Sequence, residues 1–185
     1  MHIPPIGTER LELLAILPEE FGRLEVDRAD PTLWVDRNMT NPYRHLVDEP
    51  GPLVHRIPRV KANPEFAPYA VRLAVLRDTR TIIGSAGFHQ LPDERGMIEI
   101  GLEIVEPMRR QGYARELVHG MWDWVIEQPN VRVLRYSCGV HNAPSQALVK
   151  SLDFTHVNVQ IDEEDGPEDV YEMNVTEYRQ RFTQP

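Results

Sequence analysis

Two arginines and a glycine stand before a helical pattern near the middle of the chain, and together they could bind a phosphate. The run Arg109, Arg110, Gln111 and Gly112 leads directly into apolar residues at helical spacing. The first N–H groups of a helix lack partners within the helix, and this end carries partial positive charge. A glycine lets an anionic ligand approach the backbone, and the arginines add charge. The pattern indicates an anion-binding turn; alternatively, the arginines are solvated surface charges and Gly112 is only a turn residue.

A predicted strand and a predicted amphipathic helix hold this turn between them. Residues 97–105 alternate, and the apolar face consists of Ile98, Ile100, Leu102 and Ile104. Glu99 and Glu103 share the opposite face, and Pro107 ends the strand because it has no N–H. The apolar stripe of the following helix consists of Ala114, Leu117, Val118, Met121, Trp122 and Val125.

The composition of the whole chain limits the class of protein. The chain has 185 residues, which predicts one domain over residues 1–185 with its own core. Its only cysteine, Cys138, excludes an intramolecular disulfide and favours a reducing cytoplasm. The net charge of −9 argues against non-specific nucleic-acid binding and is compatible with a cationic partner such as an amine. We expect no membrane partner and no metal, because apolar runs of spanning length and metal-ligand spacings are both absent.

The elements predicted along the chain alternate between strands and helices and favour an α/β (α+β) protein. The predicted strands are 9–16, 69–77, 81–89, 97–105, 131–140, 154–161 and 170–175. Helices are predicted from Pro18 to about Arg28, after Gly112, after Asn142 and over 176–182. The segment 30–68 is rich in proline, which forbids long regular elements and predicts short helices and loops. We interpret it as a substrate-shaping segment; the alternative is a stiff loop that packs its aromatic residues into the core.

Two motifs carry a resemblance to a known family. The pattern Gln/Arg-x-x-Gly-x-Gly/Ala is matched by Arg109, Gly112 and Ala114, and Asn-x-x-Ser is matched by Asn142 and Ser145. The chain thereby resembles the GNAT superfamily of acyl-CoA-dependent N-acyltransferases, in particular the branch with the N-terminal acetyltransferases of ribosomal proteins. That branch has Leu-Gly-Phe after the second motif, whereas this chain has Asp153 in place of the glycine. If the position requires a positive φ, aspartate tolerates it better than most residues.

The resemblance implies a GNAT fold and a cofactor site. The fold would be a mixed central sheet of about six to seven strands, splayed between the fourth (99–105) and fifth (131–140) and flanked by about four helices. Acetyl-CoA would lie at this splay, with its pantetheine arm along the strand edge near Ile104 and Val105. Its pyrophosphate would lie on backbone N–H groups of Arg110, Gln111, Gly112, Tyr113, Ala114 and Arg115, next to Arg109.

The reaction that the resemblance implies is direct attack of an amine on the thioester. The amine must lose a proton, the oxyanion needs a donor, and the leaving thiolate benefits from an acid. Glu99 is the candidate base, directly or through water, and Glu103 is the second choice; either could instead be an ordinary strand carboxylate. Many members use a tyrosine acid that aligns here with Val149, so Ser145 is implied near the CoA sulfur. Asn142 would contact pantetheine or phosphate, and helix capping is the alternative role for Asn142 and Ser145 alike.

The predicted function is therefore transfer of an acetyl group from acetyl-CoA to a primary amine of a small molecule or a peptide N-terminus. The alternative is a non-catalytic acyl-CoA-binding sensor or assembly module on the same fold. A purely structural domain would leave Arg109, Gly112 and Ala114 unexplained. We expect a cytoplasmic protein with a homodimer as a candidate assembly. The sequence leaves open the acceptor, the acyl chain, and the choice between Glu99 and Glu103 as base.

Overall fold

A computed structural model describes residues 3–162 and 166–183, which form eight strands and seven α-helices. The strands are β1 (Ile6–Gly7), β2 (Leu11–Ala15), β3 (Arg72–Leu76), β4 (Ile82–Phe88), β5 (Met97–Ile104), β6 (Val133–Gly139), β7 (Thr155–Asp162) and β8 (Gly166–Asn174). The helices are α1 (Pro18–Val26), α2 (Thr32–Val35), α3 (Leu53–Ala62), α4 (Ala67–Ala70), α5 (Tyr113–Val125), α6 (Ala143–Ser151) and α7 (Val175–Phe182). One mixed sheet has the order β1-β2-β3-β4-β5-β6-β8-β7. The predicted fold class is confirmed.

The predicted element counts were too low for identifiable reasons. The eighth strand is β1, a two-residue piece that pairs antiparallel with β2 through Ile6 and Leu13. The additional helices are α2, α3 and α4, in and directly after the proline-rich segment. They are short helices of the kind predicted for this segment, and the longest, α3, has ten residues and contains Pro58. The last two strands extend beyond the predicted ranges 154–161 and 170–175, since Asp162 of β7 pairs with Gly166 of β8, and 163–165 are outside the described residues.

The described chain divides into two compact units. Unit 1 comprises Met1–Phe88 with Leu102–Met121, and unit 2 comprises His89–Gly101 with Trp122–Pro185. In unit 1, the antiparallel strands β2, β3 and β4 bury a core that includes Leu11, Leu13, Phe21, Leu24 and Leu73. In unit 2, β6, β8 and β7 pair antiparallel, and Trp122 stacks on Phe154 with ring centroids 6.0 Å apart. Both cores exclude water from large apolar side chains, which is the main stabilising term in each.

Within unit 2, the first half of β5 runs parallel to β6. The register joins Met97 with Val133 and ends with Ile100 opposite Tyr136, although β5 continues to Ile104 and β6 to Gly139. Asp153 follows α6 with φ of +58°, so the position at which aspartate replaces the family's glycine does adopt the left-handed conformation. No helix among residues 3–162 and 166–183 combines the length and the apolar character needed to cross a membrane.

The sheet of unit 1 brings two backbones into close contact at Gly84. Opposite a bulge between Ala74 and Val75, a Cβ at Gly84 would lie 2.1 Å from the Glu103 carbonyl oxygen and 3.0 Å from the Ile104 Cα. Real Cβ contacts are longer than this, and both neighbours are backbone atoms that cannot rotate away. A glycine is therefore required at position 84.

We expect Gly84→Ala to destabilise the protein by at least about 2 kcal/mol, because the added methyl group forces β4 away from the end of β5. Urea unfolding measures the change. Gly22→Ala in α1 is the matched control, since a Cβ there meets nothing within 4 Å and alanine favours the helix. Equal stability of Gly84→Ala and the wild type would contradict the close approach.

Candidate active site

The turn predicted to bind an anion lies in unit 1 between β5 and α5. After β5 the chain makes a short 3-10 turn over Glu106–Met108, and α5 begins at Tyr113. Arg110 and Gly112 have φ of +61° and +84°, a left-handed conformation that favours glycine. Arg109 is not a free surface charge, because its Nε donates to the Ile104 carbonyl oxygen at 2.8 Å. The turn thus has a defined backbone at the N-terminus of a 13-residue helix.

Residues before β2 fix this turn to the sheet. The Arg10 guanidinium lies 4.2 Å from the centroid of the Tyr113 ring and donates to the Gln111 carbonyl oxygen at 3.0 Å. Its Nε donates at 2.7 Å to Glu116, which also accepts from the Thr8 hydroxyl and the Arg10 N–H, each at 2.6 Å. Burial alone would raise the pKa of Glu116, but these hydrogen bonds outweigh it and lower that pKa. The turn and the first turn of α5 are therefore preorganised by charge-assisted hydrogen bonds.

The other predicted cofactor residues of unit 1 lie beside this turn. Ile104 and Val105 are buried, Tyr113 and Ala114 are half-buried, and Arg115 is exposed. Two backbone groups at the strand edge already have partners, because the Val105 N–H donates to the Ile83 carbonyl at 2.9 Å and the Ile104 carbonyl accepts from Arg109. The Val105 carbonyl likewise accepts from the Met108 N–H at 2.9 Å, within the turn that follows β5.

A cavity of about 420 Å³ opens in unit 1 between residues 43–49 and residues 103–109. Four carboxylates line it, from Asp48, Glu49, Glu103 and Glu106, together with the guanidinium groups of Arg44 and Arg109. Arg44 is paired with Asp48 at 2.7 Å. The wall therefore carries more negative than positive charge, which favours a cationic ligand. The Glu103 side chain is 51% exposed, so its carboxylate is accessible from the cavity.

His45 is the buried polar residue of this cavity. Its Nε2 lies 2.9 Å from the Ser85 hydroxyl oxygen, and its Nδ1 lies 3.8 Å from Oε2 of Glu103. The Asn41 side chain holds both backbone groups of His45: its Oδ1 accepts from the His45 N–H at 2.9 Å, and its Nδ2 donates to the His45 carbonyl at 3.0 Å. Burial lowers the pKa of His45 to about 4, so the imidazole is neutral at physiological pH.

This burial predicts a specific loss of stability in acid. The unfolded chain binds a proton at His45 near pH 6.5, whereas the folded protein does so only near pH 4. Acidification between these values therefore stabilises the unfolded state, by roughly 3 kcal/mol over the interval of about 2.5 pH units. We expect His45→Asn to remove this component, measured as the difference between the wild-type and variant unfolding free energies from pH 7 to pH 4. Parallel pH curves for the two proteins would contradict it.

The remaining predicted residues lie in unit 2. Glu99 is half-buried on β5 opposite Arg135, which itself binds Glu172 at 2.6 Å. The Asn142 Oδ1 accepts the Ser145 N–H at 3.2 Å, so Asn142 does cap α6. The Ser145 hydroxyl oxygen accepts from the Tyr136 hydroxyl at 3.4 Å, and burial raises the pKa of Tyr136, which keeps that hydroxyl protonated.

Several residues of these arrangements were not predicted from the sequence, namely Thr8, Arg10, His45, Ser85, Glu116 and Tyr136. Polar residues within an otherwise apolar first strand are a weak signal for Arg10. The sequence around His45 has no periodicity, so only the tertiary contacts of Asn41 and Ser85 identify it. Among the described residues, no group of three His, Cys, Asp or Glu side chains is placed to hold a metal ion.

The mixed sheet, with a glycine turn between β5 and α5, defines a mixed α/β protein. The chain belongs to the acetyltransferase (GNAT) domain family, whose sequence profile matches residues 10–155. The predicted class is thereby confirmed: the protein is an acyl-CoA-dependent acetyltransferase, with acetyl-CoA as co-substrate and an amine as acceptor.

Individual proteins agree with this assignment. The N-acetyltransferase YjdG of Bacillus subtilis (strain 168) is 34% identical over 82 residues, which are 44% of this chain and about half (49%) of YjdG. RimL, a ribosomal L7/L12 alpha-N-protein acetyltransferase solved with coenzyme A, has a TM-score of 0.63 at 15% identity, over 93% of this chain and 98% of RimL. The microcin C7 self-immunity acetyltransferase MccE, solved with acetyl-CoA and AMP, has a TM-score of 0.64 at 13% identity, over 94% and 98%. At these identities, the solved structures show the fold alone.

Proposed function

We propose that the protein is an N-acetyltransferase whose acceptor is a cationic primary amine, either on a small molecule or at a peptide N-terminus. The observation that carries this proposal is the acidic cavity of unit 1, whose wall includes Glu103 and continues to Arg109 at the start of the anion-binding turn. An ammonium group is attracted to the surplus of carboxylates, and one of them can then accept its proton. Residues 1–185 would form one GNAT domain, of which the family profile covers 10–155.

The turn at 109–115 supports the cofactor half of the proposal. The pyrophosphate of acetyl-CoA would accept hydrogen bonds from backbone N–H groups of residues 110–115, and Arg110 and Arg115 would add positive charge. Arg110 and Gly112 have positive φ angles, and left-handed residues of this kind occur in the backbone N–H nests that bind anions. The contacts of Arg10 with Gln111 and Glu116 hold that backbone before the ligand arrives, so less conformational entropy is lost on binding.

Glu103 is our preferred base. Its carboxylate lines the cavity and is half exposed, so an amine can reach it directly. Glu99 is the alternative, half-buried on the part of β5 that pairs with β6. The choice matters chemically because the base must come within hydrogen-bond reach of the proton that it removes.

We place Ser145 near the CoA sulfur, as the family resemblance implies. A thiolate leaving group needs a proton, and a hydroxyl can supply one or stabilise the negative charge. The Tyr136 hydroxyl donates to Ser145, which leaves the Ser145 proton free to point elsewhere. Tyr136 would thus orient Ser145, and Asn142 would keep its observed role as the cap of α6 while it contacts the cofactor.

Two kinds of amine are candidates for the acceptor. RimL is named for acetylation at the N-terminus of a ribosomal protein, which makes a peptide N-terminus one candidate. The acidic cavity is compatible with that and with a small cationic amine. We also predict a cytoplasmic location and a homodimer. Size-exclusion chromatography with light scattering tests the homodimer.

The experiment is an acceptor screen with purified protein and acetyl-CoA. Free CoA is measured as released thiol, and the acetylated product is identified by mass spectrometry. The panel contains small diamines, amino-sugar compounds and peptides with free N-termini, each beside its N-acetylated form as matched control. We expect CoA release only with free amines. Binding of acetyl-CoA with no release in any mixture would overturn acetyl transfer and favour the non-catalytic acyl-CoA-binding module.

A further inference from the structure

We propose that His45 is a positioning residue for Glu103, an inference that rests on the function proposed above. Ser85, His45 and Glu103 form a series that runs from the buried strand β4 to the acidic cavity. In this series, the imidazole orients the Glu103 carboxylate so that it removes the proton from the acceptor amine.

The backbone around His45 is fixed more tightly than an ordinary loop. The two hydrogen bonds with the Asn41 side chain hold its N–H and its carbonyl. Arg44 and Leu46, on either side, have φ of +52° and +61°, a left-handed conformation that is sterically unfavourable for residues other than glycine. Strained backbone of this kind persists only where the surroundings enforce it, and it concentrates at functional sites. The strain here serves to place one imidazole.

The partners of the imidazole determine which nitrogen carries the proton. A carboxylate accepts hydrogen bonds but cannot donate them, so Nδ1 must carry the proton if it is to interact with Glu103. Nε2 then accepts from the Ser85 hydroxyl, which lies 2.9 Å away. Ser85 is buried on β4, and it thereby fixes the tautomer, as a partner on the far nitrogen of a histidine commonly does.

Glu103 needs such a partner because its side chain is half exposed and otherwise free to rotate. The other charged groups around the cavity are Arg44, Asp48 and Glu49 from residues 43–49, and Glu106 and Arg109 after β5. Arg44 binds Asp48, and the Nε of Arg109 binds the Ile104 carbonyl. The His45 Nδ1 lies 3.8 Å from the Glu103 Oε2, longer than a hydrogen bond, and a small rotation of the carboxylate closes the gap. Catalytic hydrogen bonds commonly shorten in this way when substrate binds.

The proton and electrons balance without a further reactant. An N–H bond of the ammonium group breaks, and its proton forms an O–H bond with Glu103 while the electron pair stays on nitrogen. That pair forms a C–N bond with the thioester carbon while the C=O π pair moves to oxygen. The carbonyl then re-forms from this oxygen pair as the C–S bond breaks, and the electron pair of that bond leaves on sulfur. A second N–H proton of the adduct ends on the CoA thiol. His45 stays neutral throughout, and Glu103 returns its proton to solvent from its exposed side.

Two variants of His45 test this assignment, because each preserves one half of the imidazole. The amide nitrogen of asparagine occupies nearly the place of Nδ1, whereas that of glutamine occupies nearly the place of Nε2. His45→Gln can keep the Ser85 contact but loses the donor to Glu103, and we expect kcat to fall 10- to 100-fold with an unchanged KM for acetyl-CoA. We expect His45→Asn to restore most of that rate. The acid limb of the kcat/KM profile should move to higher pH in His45→Gln alone.

A double-mutant cycle separates positioning from a merely structural role. In a Glu103→Gln background, His45→Gln should change the residual rate by less than twofold, because its effect acts through Glu103. If His45→Gln folds poorly, Ser85→Ala is the second variant. We expect its loss of rate to disappear in the Glu103→Gln background as well. Two results would overturn this inference alone. One is that His45→Gln lowers the rate by the same factor in the wild-type and Glu103→Gln backgrounds. The other is that His45→Gln is as fast as the wild type although Glu103→Gln is inactive. A wild type that acetylates no amine would overturn the proposed function as well.

Discussion

Gly112→Glu should reduce the affinity for acetyl-CoA at least 100-fold, measured by isothermal titration of the purified protein. Gly112 has φ of +84°, so any L-residue there is strained. A Cβ would also lie 3.3 Å from an Arg10 guanidinium nitrogen, which holds the turn. The introduced carboxylate then repels the pyrophosphate at the helix N-terminus and competes for Arg10. A 100-fold loss corresponds to about 2.7 kcal/mol, a plausible sum for strain and one close charge repulsion.

Two controls divide that loss between its causes. Gly112→Ala adds strain without charge, and we expect a loss of tenfold or less. Gly22→Glu adds the same charge at a site in α1 where a Cβ meets nothing within 4 Å, and we expect no change in affinity. Unfolding curves of all three variants show whether the fold is kept. Undiminished binding by a folded Gly112→Glu variant would remove the turn from the cofactor site.

Glu103→Gln should lower kcat/KM for the amine by a factor of about 10² to 10⁴, the usual size of a general-base contribution. The amide keeps nearly the same shape and cannot accept the proton. Acetyl-CoA affinity should stay at the wild-type value, because the substitution changes neither the turn nor α5. Steady-state kinetics with the acceptor found in the screen, together with isothermal titration, measure both quantities. Glu94→Gln, at an exposed glutamate outside the cavity, is the matched control.

Glu99→Gln decides the choice that the sequence left open. If Glu103 is the base, Glu99→Gln should change kcat/KM by no more than a few fold. The opposite pattern, with a large loss for Glu99→Gln and a small one for Glu103→Gln, would transfer the role to Glu99. It would also leave the acidic cavity without a function in proton transfer.

The parts that were predictable from the sequence are those encoded locally. A glycine before an apolar stripe predicts a turn and a helix start, and the structure has α5 beginning one residue after Gly112. Asp153 replaces the family's glycine, and its positive φ follows from the requirement of that position. Asn142 before a proline predicts a capped helix, and its side chain accepts the Ser145 N–H. Each of these features depends on residues within a few positions of one another.

The parts that were not predictable depend on distant contacts. His45 takes its position from Ser85, forty residues away, and from the parallel bridge between Thr40 and Thr81. Residues 166–169 contain a glycine, a proline and two acids and lie outside the predicted strand 170–175, but pairing with β7 and β6 makes them part of β8. Tyr69 was expected in a strand and lies in α4, where it packs against Phe88. Local propensity loses to tertiary context at such positions.

The contacts that hold the backbone at His45 also bear on how the acceptor specificity of such an enzyme can evolve. Asn41 and the Thr40–Thr81 bridge secure the path of the backbone through residues 43–49 without using the side chains that face the cavity. Tyr43 and Glu49 can therefore be exchanged while His45 and Glu103 stay in place. Variation of those two wall positions would diversify the acceptor and preserve the chemistry, which makes residues 43–49 the natural starting point for directed evolution of this acetyltransferase.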